Sequence, residues 1–162
     1  MAVAAACGCF HMMKWLREIG CGWDVNTMIK AAEENNLKIL TWARENGCPW
    51  NEAVSEAAAK KGSYSTLKWL KAKGCPFNEE VCRSLAKIGE LKMLKWAIAK
   101  GCPWANNIYT EAALDGHVRI LKWIKRRGLP FVELDPSQLT SAPQKTKQWA
   151  KENGLWEKLG LE

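Results

Sequence analysis

Cysteine and histidine are the most reactive residue types in this sequence, and their spacing limits what they can do. Cys21, Cys48, Cys75 and Cys102 each follow a glycine and are equally spaced along the chain. Equivalent positions in stacked helices are about 8–10 Å apart, whereas a disulfide needs Cα atoms within about 7 Å. We therefore expect small, buried, unbridged thiols in an intracellular, reducing compartment, most simply the cytoplasm.

The remaining candidate ligands and catalytic groups do not form a recognisable set. Cys7 and Cys9 make a single Cys-x-Cys pair without a histidine cluster, and a structural zinc site needs four ligands. The two histidines, His11 and His117, are far apart in the sequence. No Ser/His/Asp set, phosphate-binding glycine loop or paired-carboxylate pattern accompanies them. We expect no metal site, no cofactor and no enzymatic activity.

A short sequence repeat organises the chain. Tryptophan recurs with a period of 27, and a last step of 26, at Trp15, Trp42, Trp69, Trp96, Trp123 and Trp149. Such a period is the signature of a stacked array, in which each unit buries its apolar face against its neighbours. The sequence therefore predicts one array with repeats at about 1–23, 24–50, 51–77, 78–104, 105–131 and 132–162, the last including a C-terminal cap.

Each repeat is predicted to contain two helices, a short turn and a loop. Asn51 and Asp24 are good N-caps for the first helix, and Gly62 or Asn35 interrupts the pattern after it. Gly74 ends the second helix of its repeat, followed closely by proline, which is a typical stop signal. No segment shows the alternating pattern of a β-strand, so we expect an all-α fold.

The tryptophans allow two interpretations. They lie within the wide apolar arc of the second helix, and a buried aromatic ring removes about 150–250 Å² from water, so we expect them in the core. The alternative is a ladder on which nucleic-acid bases stack. A second aromatic series precedes the first helices and is predicted to pack between repeats: Trp23, Trp50, Phe77, Trp104 and Phe131.

From Ala112 to Lys122 the sequence reads Ala-Ala-Leu-Asp-Gly-His-Val-Arg-Ile-Leu-Lys, which resembles an ankyrin repeat. Two features depart from that family: the period is 27 rather than 33, and Gly-Cys-Pro-Trp replaces the Thr-Pro-Leu-His opening. The resemblance implies a solenoid of about six helix–turn–helix repeats with shortened or absent β-fingers. It also implies a non-catalytic scaffold that binds another protein, or a structural subunit of a larger assembly.

The outer positions of the first helices carry different residue types from repeat to repeat, whereas the positions expected to pack carry the same types. Such positions are either suited to a partner protein or free to vary because nothing contacts them, and both interpretations remain open. The candidate protein-binding residues are Lys30, Glu33, Glu34, Glu56, Lys60, Lys61, Arg83, Lys87, Ile88, Thr110, Glu111, Leu114 and Asp115.

The second helices carry a basic strip that contains 14 of the 24 basic residues. The strip is Lys14, Arg17, Lys38, Arg44, Lys68, Lys71, Lys92, Lys95, Arg119, Lys122, Lys125, Arg126, Lys145 and Lys151. It is either a solvated face, since lysine and arginine suit exposed helices, or a site for nucleic acid or another anionic partner. The densest candidate anion-binding cluster is Arg119, Lys122, Lys125, Arg126 and Arg127.

The two ends of the predicted array differ. Gln144, Thr146 and Lys147 replace apolar residues of the last second helix, which indicates a polar cap. The segment 2–6 is apolar and has no such cap. We therefore expect a partner, further repeats or self-association to cover the first repeat. No run of about 18 apolar residues occurs, so no membrane insertion is expected.

Overall fold

The computed structural model describes residues 1–128 and 136–158. Every regular element in these residues is an α-helix, and none is a β-strand, so the prediction of an all-α fold is confirmed. The helices are α1 Ala2–Ala6, α2 Phe10–Glu18, α3 Val25–Glu33, α4 Leu37–Glu45, α5 Glu52–Lys60, α6 Tyr64–Ala72, α7 Glu79–Lys87, α8 Leu91–Ala99, α9 Ile108–Leu114, α10 Val118–Arg126, α11 Pro136–Ser141, α12 Gln144–Glu152 and α13 Leu155–Lys158.

The helices α1, α3, α5, α7 and α9 are the first helices of their repeats, and each is followed by a residue with a left-handed backbone conformation. The residues with positive φ in these turns are equally spaced in the sequence: Gly8, Asn35, Gly62, Gly89 and Gly116. Glycine adopts this conformation without the steric penalty of a Cβ atom, and asparagine is the side-chain-bearing residue that tolerates it best. Glycines with positive φ also follow the second helices, which explains why both glycine series keep the repeat period.

The chain packs as two compact units, Met1–Val81 and Cys82–Glu162. In the first unit, α3 packs between α1 and α5, and each of these helices also contacts the helix that follows it. Alanines such as Ala31 and Ala58 are fully buried, as are the larger Leu40 and Leu67. The small residues let the first helices approach closely, while leucines from the second helices fill the remaining core.

In the second unit, α9 contacts α10 and α11, and α12 contacts α10, α11 and α13. Its core contains the fully buried side chains of Leu94, Ile108 and Leu121. The hydroxyl of Thr146, also fully buried, donates a hydrogen bond to the carbonyl of Ala113 at 2.9 Å. Thr146 was expected in a polar cap, but its hydroxyl instead satisfies a backbone acceptor in the core.

All seven cysteines are free thiols, as the spacing predicted. Cys48 and Cys75 are buried, and their sulfurs lie 3.4 Å and 3.5 Å from the carbonyl oxygens of Asp24 and Asn51, respectively. Burial raises the pKa of the Cys48 thiol from 9.0 to about 11 and that of Cys75 to about 12. Cys21, expected to be buried with them, is only half-buried.

The tryptophans of the second helices are less buried than the sequence predicted. Trp149 is only 3% exposed, whereas Trp15 is 56% exposed. The four between them are half-buried: Trp42, Trp69, Trp96 and Trp123. The fully buried position of the same helix is two residues earlier, at Leu40 and its equivalents. The indoles therefore lie at the rim of the core, because the helix directs leucine rather than tryptophan towards the first helices.

Other local predictions have mixed outcomes. The side chain of Asn51 accepts a hydrogen bond from the backbone of Ala53 and caps α5 as expected. Asp24 precedes α3 but makes no capping hydrogen bond, because its carboxylate accepts one from the side chain of Asn26 instead. Phe131, a member of the second aromatic series, lies outside the described residues. No helix in the described part of the chain has the length and apolar character needed to cross a membrane.

Candidate functional site

The most exposed part of the first helices is their C-terminal end. In the first helices α3, α5, α7 and α9, the last helical residue and the residue after it directly precede the left-handed turn residue. We call these the turn pairs: Glu33–Glu34, Lys60–Lys61, Lys87–Ile88 and Leu114–Asp115. In every pair the second residue is exposed, and the lysines in the first position are exposed as well. Each turn has the same backbone conformation. The turn pairs therefore differ only in the charge and polarity of their side chains.

Other predicted binding residues on the first helices are engaged within the fold. Lys30 and Glu33 form an ion pair at 2.8 Å. Glu56 accepts a hydrogen bond from the side-chain amide of Asn78 at 2.8 Å and lies 4.0 Å from Lys60. These glutamates were expected to be exposed, but the structure places them half-buried, together with Lys30, Arg83, Thr110, Glu111 and Leu114.

Part of the basic strip is occupied by contacts within the first unit. The guanidinium of Arg17 lies 4.2 Å from the ring centroid of Trp23 and donates to the carbonyl of Cys21 at 2.9 Å. Arg44 lies over Trp50 in the same way, at 4.1 Å. A cation over an aromatic face contributes about 0.5–1 kcal/mol at an exposed site, and the hydrogen bond satisfies a carbonyl beyond the helix end. These arginines therefore stabilise the loop that follows each second helix.

Several strip lysines also lie over aromatic rings. The contacts in the first unit are Lys14 and Lys38 over Phe10, Lys68 over Tyr64, and Lys71 over Phe77, at 4.5 to 4.9 Å. The sequence pattern did not predict these contacts. The available signal was a cation six residues before four of the five residues of the second aromatic series, as at Arg17 and Trp23; before Trp104 this position is Ile98. The sequence allowed a solvated strip or an anion-binding strip, and the structure adds stacking of these lysines on aromatic rings within the chain.

The predicted anion-binding cluster is exposed on α10. Arg119, Lys122, Lys125, Arg126 and Arg127 all reach solvent. The ammonium group of Lys125 donates to the side-chain oxygen of Asn153, and Arg127 lies 5.3 Å from the ring of Trp123. Within the described part of the chain, the structure shows no hydrogen bond, ion pair or ring contact for Arg119, Lys122 or Arg126, so these three side chains are available to an external anion.

A shallow cleft of about 420 Å³ adjoins this cluster within the second unit. It is lined by Gly89, Glu90, Leu91, Lys92, Lys95 and Arg119. Three cations and one carboxylate give the cleft a positive charge, although Lys95 also lies 5.7 Å from the ring of Trp123. The cleft brings two strip lysines and one member of the predicted cluster together, which the sequence alone did not predict.

The first repeat exposes a group of large apolar side chains. Val3 is 77% exposed, Met12 54%, Trp15 56% and Ile19 55%. We call this group the first-repeat face. Ile88, the remaining large apolar residue that is exposed among the described residues, belongs to a turn pair. Met12, Trp15 and Ile19 are spaced three and four residues apart, which places them on one side of α2 and its end. Tryptophan is enriched among residues that dominate binding energy.

The histidines and cysteines do not converge on a reactive centre in the described residues. His117 Nε2 lies 2.7 Å from the carbonyl oxygen of Lys87, and its ring packs against Gly89 so closely that a Cβ there would approach to 2.5 Å. His117 therefore holds the preceding turn in place. His11 is exposed beside Phe10. No group of three or more potential metal ligands occurs in residues 1–128 and 136–158.

Comparison of the sequence with protein-family models finds no family that matches, and comparison with curated proteins finds no significant match.

Proposed function

We propose that this protein is an ankyrin-like repeat array, an α solenoid that binds another protein and has no catalytic role. The support is the recurrence, at one constant period, of a helix pair with a left-handed residue in its turn. Units of this size stack on their neighbours and leave long outer surfaces, which such arrays use for binding.

The observation that carries the proposal is the variation of the turn pairs. Their backbone is constant, because each pair precedes a residue with positive φ. The first pair is made of two glutamates and the second of two lysines. The third combines a lysine with an isoleucine, and the fourth a leucine with an aspartate. Packing does not require this variety, since six of the eight side chains are exposed. The half-buried residues of the same helices, such as Glu56, support these turns rather than forming the contact surface.

The test is the capture of a partner by variants of the turn pairs. We would change Lys60 and Lys61 to alanine in the first unit, and Lys87 and Ile88 to alanine in the second. Exposed side chains contribute little to stability, so the melting temperature should change by no more than a few degrees. Affinity for a captured partner, measured with purified components, should fall at least tenfold, because interface energy concentrates in a few residues.

The matched control changes two exposed lysines beyond the second helices, Lys73 and Lys100, to alanine. This control removes two charges, as does changing Lys60 and Lys61, but leaves the turn pairs intact. A partner that binds the turn-pair variants as tightly as the unaltered protein, or that is lost equally in the control, would show that another surface binds it.

The second candidate function is the binding of nucleic acid or another polyanion. It is favoured by the cleft at Lys92, Lys95 and Arg119 and by the neighbouring exposed cations of α10. The first unit favours it less, since Arg17 and Arg44 already lie over aromatic rings. Anion binding would therefore be centred on the second unit rather than distributed over the whole strip.

Its test is the affinity for single-stranded DNA and RNA oligonucleotides as a function of salt concentration. Phosphate contacts release counterions, so affinity should decrease steeply as salt increases. Changing Lys92, Arg119 and Lys122 to glutamate should abolish binding, whereas the same change at Lys73 and Lys100 should weaken it only modestly. If the oligonucleotides show no retardation even at low salt, this candidate function is excluded.

A further inference from the structure

Two buried cysteines of the second unit lie side by side. Cys82 belongs to α7 and is completely buried, whereas Cys102 lies in the loop after α8 and is only 5% exposed. Both are free thiols, and their side chains are hydrogen-bonded to each other. The spacing that excludes disulfides concerns equivalent cysteines of successive repeats. Cys82 is not one of those, and its contact with Cys102 is made inside one helix pair.

The preceding helix pair shows that this contact is part of the repeat geometry. Ser55 in α5 is the equivalent of Cys82, and its hydroxyl donates to the carbonyl of Pro76 at 2.8 Å. Pro76 directly follows Cys75, the equivalent of Cys102, and a backbone hydrogen bond joins Ser55 to Cys75. At this position, the side chain of the first helix therefore lies against the loop that follows the second helix.

Only one repeat has a thiol on both sides of this contact. The position of Cys82 is occupied by Met28 and Ser55 in the two preceding repeats and by Tyr109 in the next one. The loop cysteine alone needs no special explanation, because a buried cysteine packs as a small apolar residue. Cys82 adds the second sulfur that turns one of these packing residues into a dithiol.

We propose that Cys82 and Cys102 are an oxidisable site, which a small disulfide such as oxidised glutathione converts into a disulfide in the folded protein. The Cys102 thiolate attacks the S–S bond of oxidised glutathione and releases one glutathione thiolate. The Cys82 thiolate then attacks the Cys102 sulfur of the mixed disulfide and displaces the second. Two protein thiols lose two electrons and two protons, which leave as two molecules of reduced glutathione. The proposal does not depend on the turn pairs or on the basic cleft.

The fold favours this bond because it already holds the two sulfurs in contact. In the unfolded chain, closing a short loop costs less than closing a long one. Cys82 would then pair more readily with Cys75, which is much closer in the sequence, and folding should reverse that preference. The hydrogen bond with Cys102, together with burial, raises the pKa of the Cys82 thiol. The exchange is therefore slow and requires local opening of the loop after α8.

The test is equilibration of the full chain in mildly alkaline glutathione buffers, followed by acid quenching, alkylation and peptide mapping by mass spectrometry. The ratio of the Cys82–Cys102 disulfide to the Cys75–Cys82 disulfide should be at least tenfold higher in the folded chain than in concentrated urea. Oxidation should also slow amide exchange in α8 at least tenfold, because the bond constrains the unfolded chain. The backbone amide of Cys102 donates to the carbonyl of Ala97, so incubation continues until this amide has exchanged and the loop has opened.

Substitutions at equivalent positions provide the controls. Cys82→Ser should fold, because serine occurs at the equivalent position in the preceding repeat, and oxidation should no longer slow its exchange in α8. The matched control, Cys75→Ser, also removes one buried thiol but keeps the pair, so it should still form the disulfide. Ser55→Cys places a thiol against Cys75 and should add a second disulfide in the first unit.

Two results would overturn the proposal. The first is a Cys82–Cys102 disulfide that forms no more readily in the folded chain than in urea, although the amide of Cys102 has exchanged. The second is an oxidised chain in which amide exchange in α8 is as fast as in the reduced chain.

Discussion

The core of the first unit contains a buried hydroxyl group that has no hydrogen-bond partner among the described residues. Thr27 in α3 is fully buried, and its hydroxyl has no hydrogen-bond partner in the described residues. The equivalent residues in the next three repeats are Val54, Val81 and Ile108, each of which is also fully buried. The position is therefore an apolar one, and we predict that Thr27→Val stabilises the first unit by replacing the hydroxyl with a methyl group of similar size.

The magnitude follows from the cost of burying an unpaired hydroxyl, which is about 1–3 kcal/mol. Threonine and valine have similar helix propensities, so the backbone contributes little to the difference. We expect the free energy of unfolding to increase by about 1–2 kcal/mol. The matched control is Thr66→Val, because Thr66 is equally buried but donates its hydroxyl proton to the side-chain oxygen of Asn35. That substitution should lower the free energy of unfolding by about 1–2 kcal/mol.

Both positions lie in the unit Met1–Val81, so the two variants can be compared through the same transition. Urea unfolding would be followed by circular dichroism, and amide exchange in α3 would report on that unit directly. The expected result is a higher urea midpoint for Thr27→Val and a lower one for Thr66→Val, with unchanged slopes. A decrease for Thr27→Val would refute the reasoning, because it would mean that the hydroxyl has a favourable partner in the folded protein.

Three further predictions concern the turns and the thiols. Gly89→Ala should destabilise the second unit by about 1–3 kcal/mol more than Gly101→Ala, as measured by urea unfolding: both glycines have positive φ, but only at Gly89 would the new Cβ meet a ring. The free energy of unfolding should fall by about 1.4 kcal/mol per pH unit for each buried thiol. For Cys48 this fall runs from pH 9 to about 11, and for Cys75 to about 12, because the native state keeps both protonated while the unfolded chain ionises. Changing both to alanine should flatten this slope in denaturation curves at several pH values. In the native protein a thiol reagent should label the exposed Cys7 at least a hundredfold faster than Cys48 or Cys75, and equal rates would contradict their burial.

The helix–turn–helix units could be predicted from the sequence because their determinants are local. Gly62 and Gly89 both end a first helix with positive φ, as their spacing indicated. The turn depends on the conformation that a single residue tolerates, and the apolar period identifies the face that packs. The burial of Cys48 and the position of Trp23 between repeats followed from the same period. All residues of the turn pairs were predicted to be exposed, and this is correct except for Glu33 and Leu114, which are half-buried.

The tertiary structure alone decided which apolar and charged side chains reach solvent. The sequence placed Trp15 and Trp42 in the same pattern, yet Trp15 is largely exposed, because only Trp42 has Phe10 and Trp23 against it. Arg17 occupies the same position in its repeat as the other cations of the basic strip, and its position alone did not show that its guanidinium lies over the ring of Trp23. The physical reason is that periodicity records the position of a residue within its own repeat. Burial and charge pairing instead depend on side chains supplied by other segments of the chain, whose positions are fixed only when the helices pack.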